Sequence, residues 1–382
     1  MSKTITYVYL GNRQEKLLNY ENQDIPKEFF YGYQNFIEDN YKVDILEFGE
    51  TSKESILYKN FWQCLDRLLR KATKLPFFSR YIMQREKKLK ILSSNNLVLV
   101  GDRVAVSLLP VLIYIKLFKR SVITSTFVLG LFSNKSQYSI VNFLQSIFMY
   151  LLLASCSNFL FLGEGEYNFA TKKHPKWKSK FHFTPFCIDS NFWADEDSYS
   201  ANKRNGILFI GNDGKRDYEK AIKIANKLPE YDFTFITKRI DKKRSLNENI
   251  KLNGGTLART LISDNQLKEI YKNAKLTIVP LYNSLQPSGQ SVSLQSMASG
   301  TPVIITKTEG FWDTDNFIDN ENIILQKNNS LDEWVQTIRT LYEDKDRLQN
   351  LSTNGKALII NKFNSDIFYK SIKNIILGKK TE

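Results

Sequence analysis

The chain has 382 residues, 42% of them hydrophobic and 25% charged, which excludes a disordered chain and is enough for two domains of ordinary size. Three widely spaced cysteines (Cys64, Cys156, Cys187) exclude a disulfide framework and fit a reducing compartment, and two histidines, His174 and His182, are too few for a zinc site. The formal charge of +14 is concentrated, since residues 51–180 hold 21 Lys and Arg against 6 Asp and Glu and the remainder is close to neutral.

The chain runs from Met1-Ser2-Lys3 straight into a strand-like stretch, so no signal peptide and a cytoplasmic location are expected. Thr4–Leu10 and Lys42–Phe48 read as strands, with helical spacing over Pro26–Asn40 between them. Asn96–Val100 reads as a buried strand ending at Gly101-Asp102, a place where α/β proteins put binding groups. Ser121–Val128 and Asn158–Leu162 continue the pattern. Val104–Phe118 contains Pro110 and is too short to span a bilayer. Tyr138–Leu162 is interrupted by polar residues and divides into a buried helix and the strand Asn158–Leu162.

Thr184–Asp189 leads into a polar stretch, Ser190–Asn205, which reads as the crossing between domains. Strands then follow at Gly206–Ile210, Tyr231–Ile236, Leu276–Pro280 and Val303–Thr306. Helices fit Tyr218–Leu228, Asp264–Asn273 and Leu331–Glu343, and Asp346–Gly378 reads as one or two more. Alternating strands and helices predict an α/β protein of two doubly wound, Rossmann-like domains over residues 1–190 and 191–365. Residues 366–382 read as a C-terminal helix free to cross back to the first domain.

The most informative stretch is Ser288–Ile304, SGQSVSLQSMASGTPVI. A glycine turn opens a short helix that ends at Gly300, and a proline and a β-branched run follow. Unpaired N–H groups and the helix dipole at such a start form a seat for phosphate, and the small Ser288, Gly289 and Ser291 let a ligand approach the backbone. An ordinary strand–helix turn also needs small residues there.

Several pieces in the second half resemble, in order, the donor-binding domain of nucleotide-sugar glycosyltransferases with the GT-B fold, glycosyltransferase family 4. They are PFCID at the linker, ILFIGNDGKRDYEKAIKIA, SDNQLKEIYKNAKLTIVPL and the stretch above. The resemblance covers roughly residues 184–365, and implies two Rossmann-like domains facing a central cleft. It implies transfer of a sugar with retention of configuration, from UDP-sugar or else GDP-sugar, without a metal or other cofactor. It also implies donor contacts from Gly211, Asn212, Gly214, Lys238, Tyr282, Ser288, Gly289, Gln290, Ser291, Val292 and Gln295. Arg216 and Lys215 would hold the diphosphate. The family's two donor-site glutamates fall on Pro287 and Gln295 here. Gln295 keeps hydrogen-bonding capacity toward a ribose without a charge, whereas Pro287 does not.

Arg216 is the first candidate for stabilising a leaving diphosphate because its planar fork suits phosphate, and Lys215 the second, against the reading of both as a solvated turn. Tyr282 suits stacking on a base or sugar, or capping the core. Asp102 is a third catalytic candidate, or a strand-end cap. Glu164 and Glu166 follow a strand in the same way. Residues 60–90 interleave cations with apolar side chains, which suits a helix in an anionic lipid interface, or a helical hairpin packing its apolar face on the sheet. Nucleic acid ranks last, because nothing resembles a nucleic-acid module. The expected function is sugar transfer to a lipid or glycan acceptor by a peripheral protein on the inner face of a membrane. The rival is a degenerate relative that binds a nucleotide or partner without turnover.

Overall fold

The structure, a computed structural model, describes residues 4–20, 25–49, 55–119, 121–133, 137–194, 200–241, 243–253 and 262–379. Its strands are β1 (Thr4–Tyr9), β2 (Lys42–Glu47), β3 (Asn96–Val100), β4 (Ile123–Val128), β5 (Asn158–Phe161), β6 (Phe181–Phe183), β7 (Ile207–Ile210), β8 (Phe233–Ile236), β9 (Ile250–Asn253), β10 (Leu276–Val279), β11 (Val303–Thr306) and β12 (Ile324–Gln326). They form two six-stranded sheets, ordered β2-β1-β3-β4-β5-β6 and β12-β11-β10-β7-β8-β9. Every pairing is parallel. Central strands such as β3 and β11 are buried along their whole length, as a parallel sheet covered by helices on both faces requires.

The chain divides into two compact units. The first comprises Met1–Glu21, Phe29–Thr184 and Phe368–Glu382, and the second Asn22–Glu28 and Pro185–Ile367. Two short pieces therefore belong with the unit that their sequence neighbours do not. The first is the segment before Phe29, and the second is the end of the helix Ser365–Leu377. Residues 195–199 of the expected linker lie outside the described residues.

In the first unit, Tyr7 pairs with Ile45 on one side and Val98 on the other. The buried hydroxyls of Tyr7 and Tyr9 donate to the carbonyls of Tyr31 (3.0 Å) and Phe30 (2.7 Å). The expected helix over Pro26–Asn40 is broken into a 3-10 turn, Glu28–Phe30, and the helix Tyr33–Glu38, because Tyr31 and Gly32 between them are left-handed. Pro110 sits in the first turn of the helix Leu109–Phe118, separating it from Asp102–Ser107.

Residues 60–90 are not one interfacial helix. They fold as the helix Ile56–Thr73, a 3-10 turn Ser79–Tyr81 and the helix Arg85–Leu92. Leu75, Phe77, Ile82 and Met83, in the connection between the two helices, go into the core, while Leu57, Phe61, Leu68 and Leu89 on the helices are exposed. The helix Ser139–Ser155 is not wholly buried either. Met149, Leu152 and Leu153 face the core while Ile140, Phe143, Ile147 and Tyr150 are exposed. Among the described residues no helix is long and apolar enough to cross a membrane.

Candidate functional site

The second sheet follows the doubly wound order in which the chain starts at a middle strand, builds to one edge, then returns to build to the other. The reversal lies between β7 and β10, and ligands in such sheets bind where the carboxyl ends of those strands open into loops. Here the loops are Gly211–Asp217 and Pro280–Gly289. They are stitched by an antiparallel bridge between Arg216 and Leu281 and by hydrogen bonds from Tyr282 N to Lys215 O and from Asp217 N to Pro280 O, both 2.9 Å.

The first loop is shaped by its own side chains. Asp213 Oδ1 accepts from the backbone N–H of Lys215 (2.7 Å) and of Arg216 (3.0 Å), which closes the polar turn that Gly211-Asn212-Asp213-Gly214 suggests in the sequence. Asp217 then caps the helix Tyr218–Lys227 by accepting from Lys220 N. Arg216 is folded back and only 3% exposed. Its Nε donates to Ile210 O at 3.1 Å. Its Nη1 lies 3.1 Å from Asp213 Oδ2 but makes no hydrogen bond. Gly211 is what allows this, because a Cβ there would stand 2.6 Å from Arg216 Cγ and Nε. Asn212 accepts from Lys238 N (2.7 Å) and, at its carbonyl, from Arg239 Nε (3.0 Å), so the loop after β8 is tied to the same edge. Gly214 faces open space and Lys215 is half-buried.

The second loop delivers the helix Gln290–Ala298. Its N-cap, Gly289, is left-handed with φ 89°, and a Cβ there would meet Ile305 Cδ1 at 3.0 Å and Val279 Cγ1 at 3.1 Å. The helix is buried nearly all round, including Gln290, Val292 and Gln295. Ser291 is half-buried and Tyr282 is exposed. Ser288 Oγ, Ser293 Oγ and Arg216 Nη1 are buried without a hydrogen-bond partner. Buried polar groups are normally paired, so these three stand out, although Arg216 Nη1 keeps its ion pair with Asp213.

Gln295 is engaged at both ends. Its Nε2 donates to Glu28 Oε1 at 2.9 Å and its Oε1 accepts from Tyr271 OH at 3.2 Å. Pro287 is buried in the loop before the helix. The partners of Gln295, Glu28 and Tyr271, were not legible in the sequence, because nothing in it links position 28 to a helix near position 295.

Asp102 belongs to the first unit, Lys215 and Arg216 to the second. It opens the helix after β3 and accepts from Leu129 N at 3.1 Å. Glu166 is fully buried and accepts from Gly130 N (3.0 Å) and Phe132 N (2.9 Å). Burial raises both carboxyls, and their mutual repulsion raises Glu166 further. Both therefore hold the loop after β4, while Glu164 is half-buried at the start of its helix. His174 and His182 are half-buried and lowered by burial, and His182 Nε2 lies 3.3 Å from Asn158 Oδ1.

Comparison with curated proteins by sequence gives no match. Against known families, residues 192–358 match the one described as glycosyl transferases group 1. Solved structures similar to the chain include Anabaena HepE in complex with UDP, with TM-score 0.63, 11% identity and coverage of 98% of this chain and 100% of that one. A glycosyltransferase from Rickettsia africae gives 0.64 at 11% identity, covering 99% and 100%. Sucrose-phosphate synthase from Thermosynechococcus elongatus gives 0.64 at 12% identity, covering 98% of each. Residues 192–358 thus resemble the glycosyl transferases group 1 family, and the two parallel sheets have the α/β fold of GT-B glycosyltransferases.

Proposed function

We propose that the protein transfers a sugar from a nucleotide diphosphate sugar to an acceptor, with retention of configuration and without a metal. The observation that carries the reading is the pair of buried hydroxyls without a hydrogen-bond partner, Ser288 Oγ and Ser293 Oγ, on the loop and first turns of the helix Gln290–Ala298 at the switch point of the second sheet, with the buried Arg216 in the neighbouring loop. A departing diphosphate gains negative charge, and donors fixed before it arrives stabilise that charge without reorganising. Arg216 and the N–H groups of Gly289–Ser291 would hold one phosphate, and Lys215 and Lys238 would lie along the other. Gln295 would reach the ribose and Tyr282 would stack on the base or sugar. UDP is the first donor nucleotide to test, since HepE was solved with UDP and with UDP-glucose, and GDP is the second. Asp102 would act on the acceptor.

For the acceptor we infer a membrane lipid or lipid-linked glycan. Between Asp66 and Glu164 the chain carries two acidic residues, Glu86 and Asp102. The neighbouring helices Ile56–Thr73 and Ser139–Ser155 leave Leu57, Phe61 and Leu68, and Ile140, Phe143 and Ile147, exposed on one stripe each. Apolar stripes in a cationic, acid-poor unit suit an anionic bilayer. A peripheral location on the inner leaflet follows from that reading.

Calorimetry with UDP, GDP and ADP tests the donor site. Selective micromolar binding of one of them supports the transferase, and release of that diphosphate from its sugar conjugate in the presence of lipid extends it to turnover. No binding would favour the degenerate relative, which draws its support from Pro287 and from Gln295 being bonded at both ends.

A further inference from the structure

Glu28 is the least expected residue of the second unit. It is 4% exposed, and every group placed on its carboxylate is a donor. Trp193 Nε1 (2.7 Å) and Gln295 Nε2 (2.9 Å) donate to Oε1, and Asp189 N (3.1 Å) donates to Oε2. Lys27 N in turn donates to Asp189 Oδ2 at 3.2 Å, so the segment is fastened on both sides. No ammonium or guanidinium is paired with the Glu28 carboxylate among the described residues. A buried carboxylate without an ion pair is costly, and it is compatible with this setting because an ionised carboxylate is acceptor-only. A neutral amide or acid would turn at least one of its own donors against these N–H groups.

The consequence falls on Gln295. An amide in a pocket can turn over, exchanging Nε2 and Oε1. With Glu28 ionised, the NH2 is held inward and the carbonyl oxygen is held toward Tyr271, with a second lone pair to give. Gln295 lies one helical turn beyond Ser291, on the same face of the helix Gln290–Ala298. We propose that Glu28 is a positioning residue for the nucleotide, fixing the Gln295 amide so that its carbonyl oxygen accepts from a ribose hydroxyl. The inference rests on the nucleotide site proposed above, and makes the carboxylate missing from the helix act from a distant segment through an amide.

Burial raises the Glu28 carboxyl to about 7, while hydrogen bonds from Gln295, Asp189 and Trp193 and from its own backbone act to lower it. Once protonated, Glu28 becomes a donor and favours the reversed amide. The other ionisable groups facing this cluster are few. Asp189 is engaged as the cap of the helix Ser190–Trp193. Tyr271 is raised by burial and remains neutral. Arg216 bears on Tyr271 as a fixed positive charge.

The test compares UDP with 2′,3′-dideoxy-UDP, which share their phosphates and base and differ in the ribose hydroxyls. At about pH 8 the wild-type protein is expected to prefer UDP by roughly tenfold, the worth of one good hydrogen bond. The preference should shrink toward parity at about pH 6, where Glu28 is mostly protonated, and phosphate titration cancels in the ratio. Glu28→Gln should show little preference at either pH while binding the dideoxy compound as the wild type does. A merely structural Glu28 would weaken both ligands together. A wild-type preference that is absent at pH 8, or that does not change with pH, overturns the inference even if the variant does not fold, and so does a preference that survives in Glu28→Gln. If wild-type protein binds neither nucleotide, the site falls and this inference with it, whereas equal binding of both leaves the site standing and removes Glu28 alone.

Discussion

Gly211 and Arg216 form one unit of design, because the guanidinium stem occupies the space where any other residue at 211 would place its Cβ. Gly211→Ala should therefore expel Arg216 from its seat and break the Nε bond to Ile210 O. Losing a buried, charge-assisted hydrogen bond costs about 1.5–3 kcal/mol. We expect UDP affinity to fall roughly ten- to hundredfold in calorimetry, as in Arg216→Lys, which keeps the charge but cannot reach both Ile210 O and a phosphate. Unchanged affinity in both variants would mean that Arg216 only supports the loop. Glu28 makes a separate prediction about stability. Its folded pKa, about 7, lies above the ordinary value of 4.5. The folded state therefore binds the extra proton between those values. The stabilisation this gives is full below the unfolded pKa and is lost as pH rises through about 7. The size is on the order of 3 kcal/mol. Chemical denaturation of wild type and Glu28→Gln across this range should show the wild type losing stability relative to the variant as pH rises. Parallel curves would show that the carboxyl titrates normally.

The helix Gln290–Ala298 depends on the left-handed Gly289, since a side chain there is strained by its φ and crowded by Ile305 and Val279. Gly289→Ala should cost about 1–2 kcal/mol from the backbone alone and weaken UDP, because the N-terminal N–H groups shift. Ser263→Ala is the matching control. It breaks the capping box of Asp264–Asn273 and should cost about 1 kcal/mol while leaving UDP binding unchanged. If both variants changed Tm and affinity in proportion, the first helix would have no special standing. The same comparison shows why parts of the molecule were legible. Gly289 and the helix after it could be read because a turn glycine, a closing glycine at position 300 and a following proline and β-branched run are local signals. β3, β10 and β11 could be read because central parallel strands are unbroken apolar runs. The strands missed, β6, β9 and β12, all lie at sheet edges, and each is only three or four residues long. A half-solvated edge strand carries no such run, as Ile250–Asn253 illustrates with Lys251 and Asn253, and β12, though buried, is only three residues long. The left-handed pair Tyr31-Gly32 broke an expected helix without any proline to announce it. The contacts of Glu28 and Tyr271 with Gln295 are long-range hydrogen bonds that no periodicity encodes.

At the scale of the molecule, the charge asymmetry and the exposed stripes belong to the same unit, while the orphaned donors belong to the other. Binding to a surface and binding to a nucleotide should therefore be separable. Each cation near an anionic leaflet contributes about 1 kcal/mol, and this weakens as salt shortens the Debye length. The exposed apolar side chains add a term that salt does not screen. Protein mixed with phosphatidylcholine vesicles containing phosphatidylserine should co-sediment at low salt, and less so in 0.5 M salt, roughly a Debye length of 4 Å. It should not co-sediment with pure phosphatidylcholine. Replacing Phe61 and Phe143 by Ser removes one exposed aromatic from each of two neighbouring helices whose other faces keep the core packed. We expect that double variant to lose about tenfold in vesicle partitioning, with its UDP affinity and Tm unchanged. Salt-sensitive binding that ignores the two substitutions would reduce the surface to its cations. Absence of binding at low salt would mean that the stripes meet something other than lipid, and would redirect the acceptor search to soluble glycans.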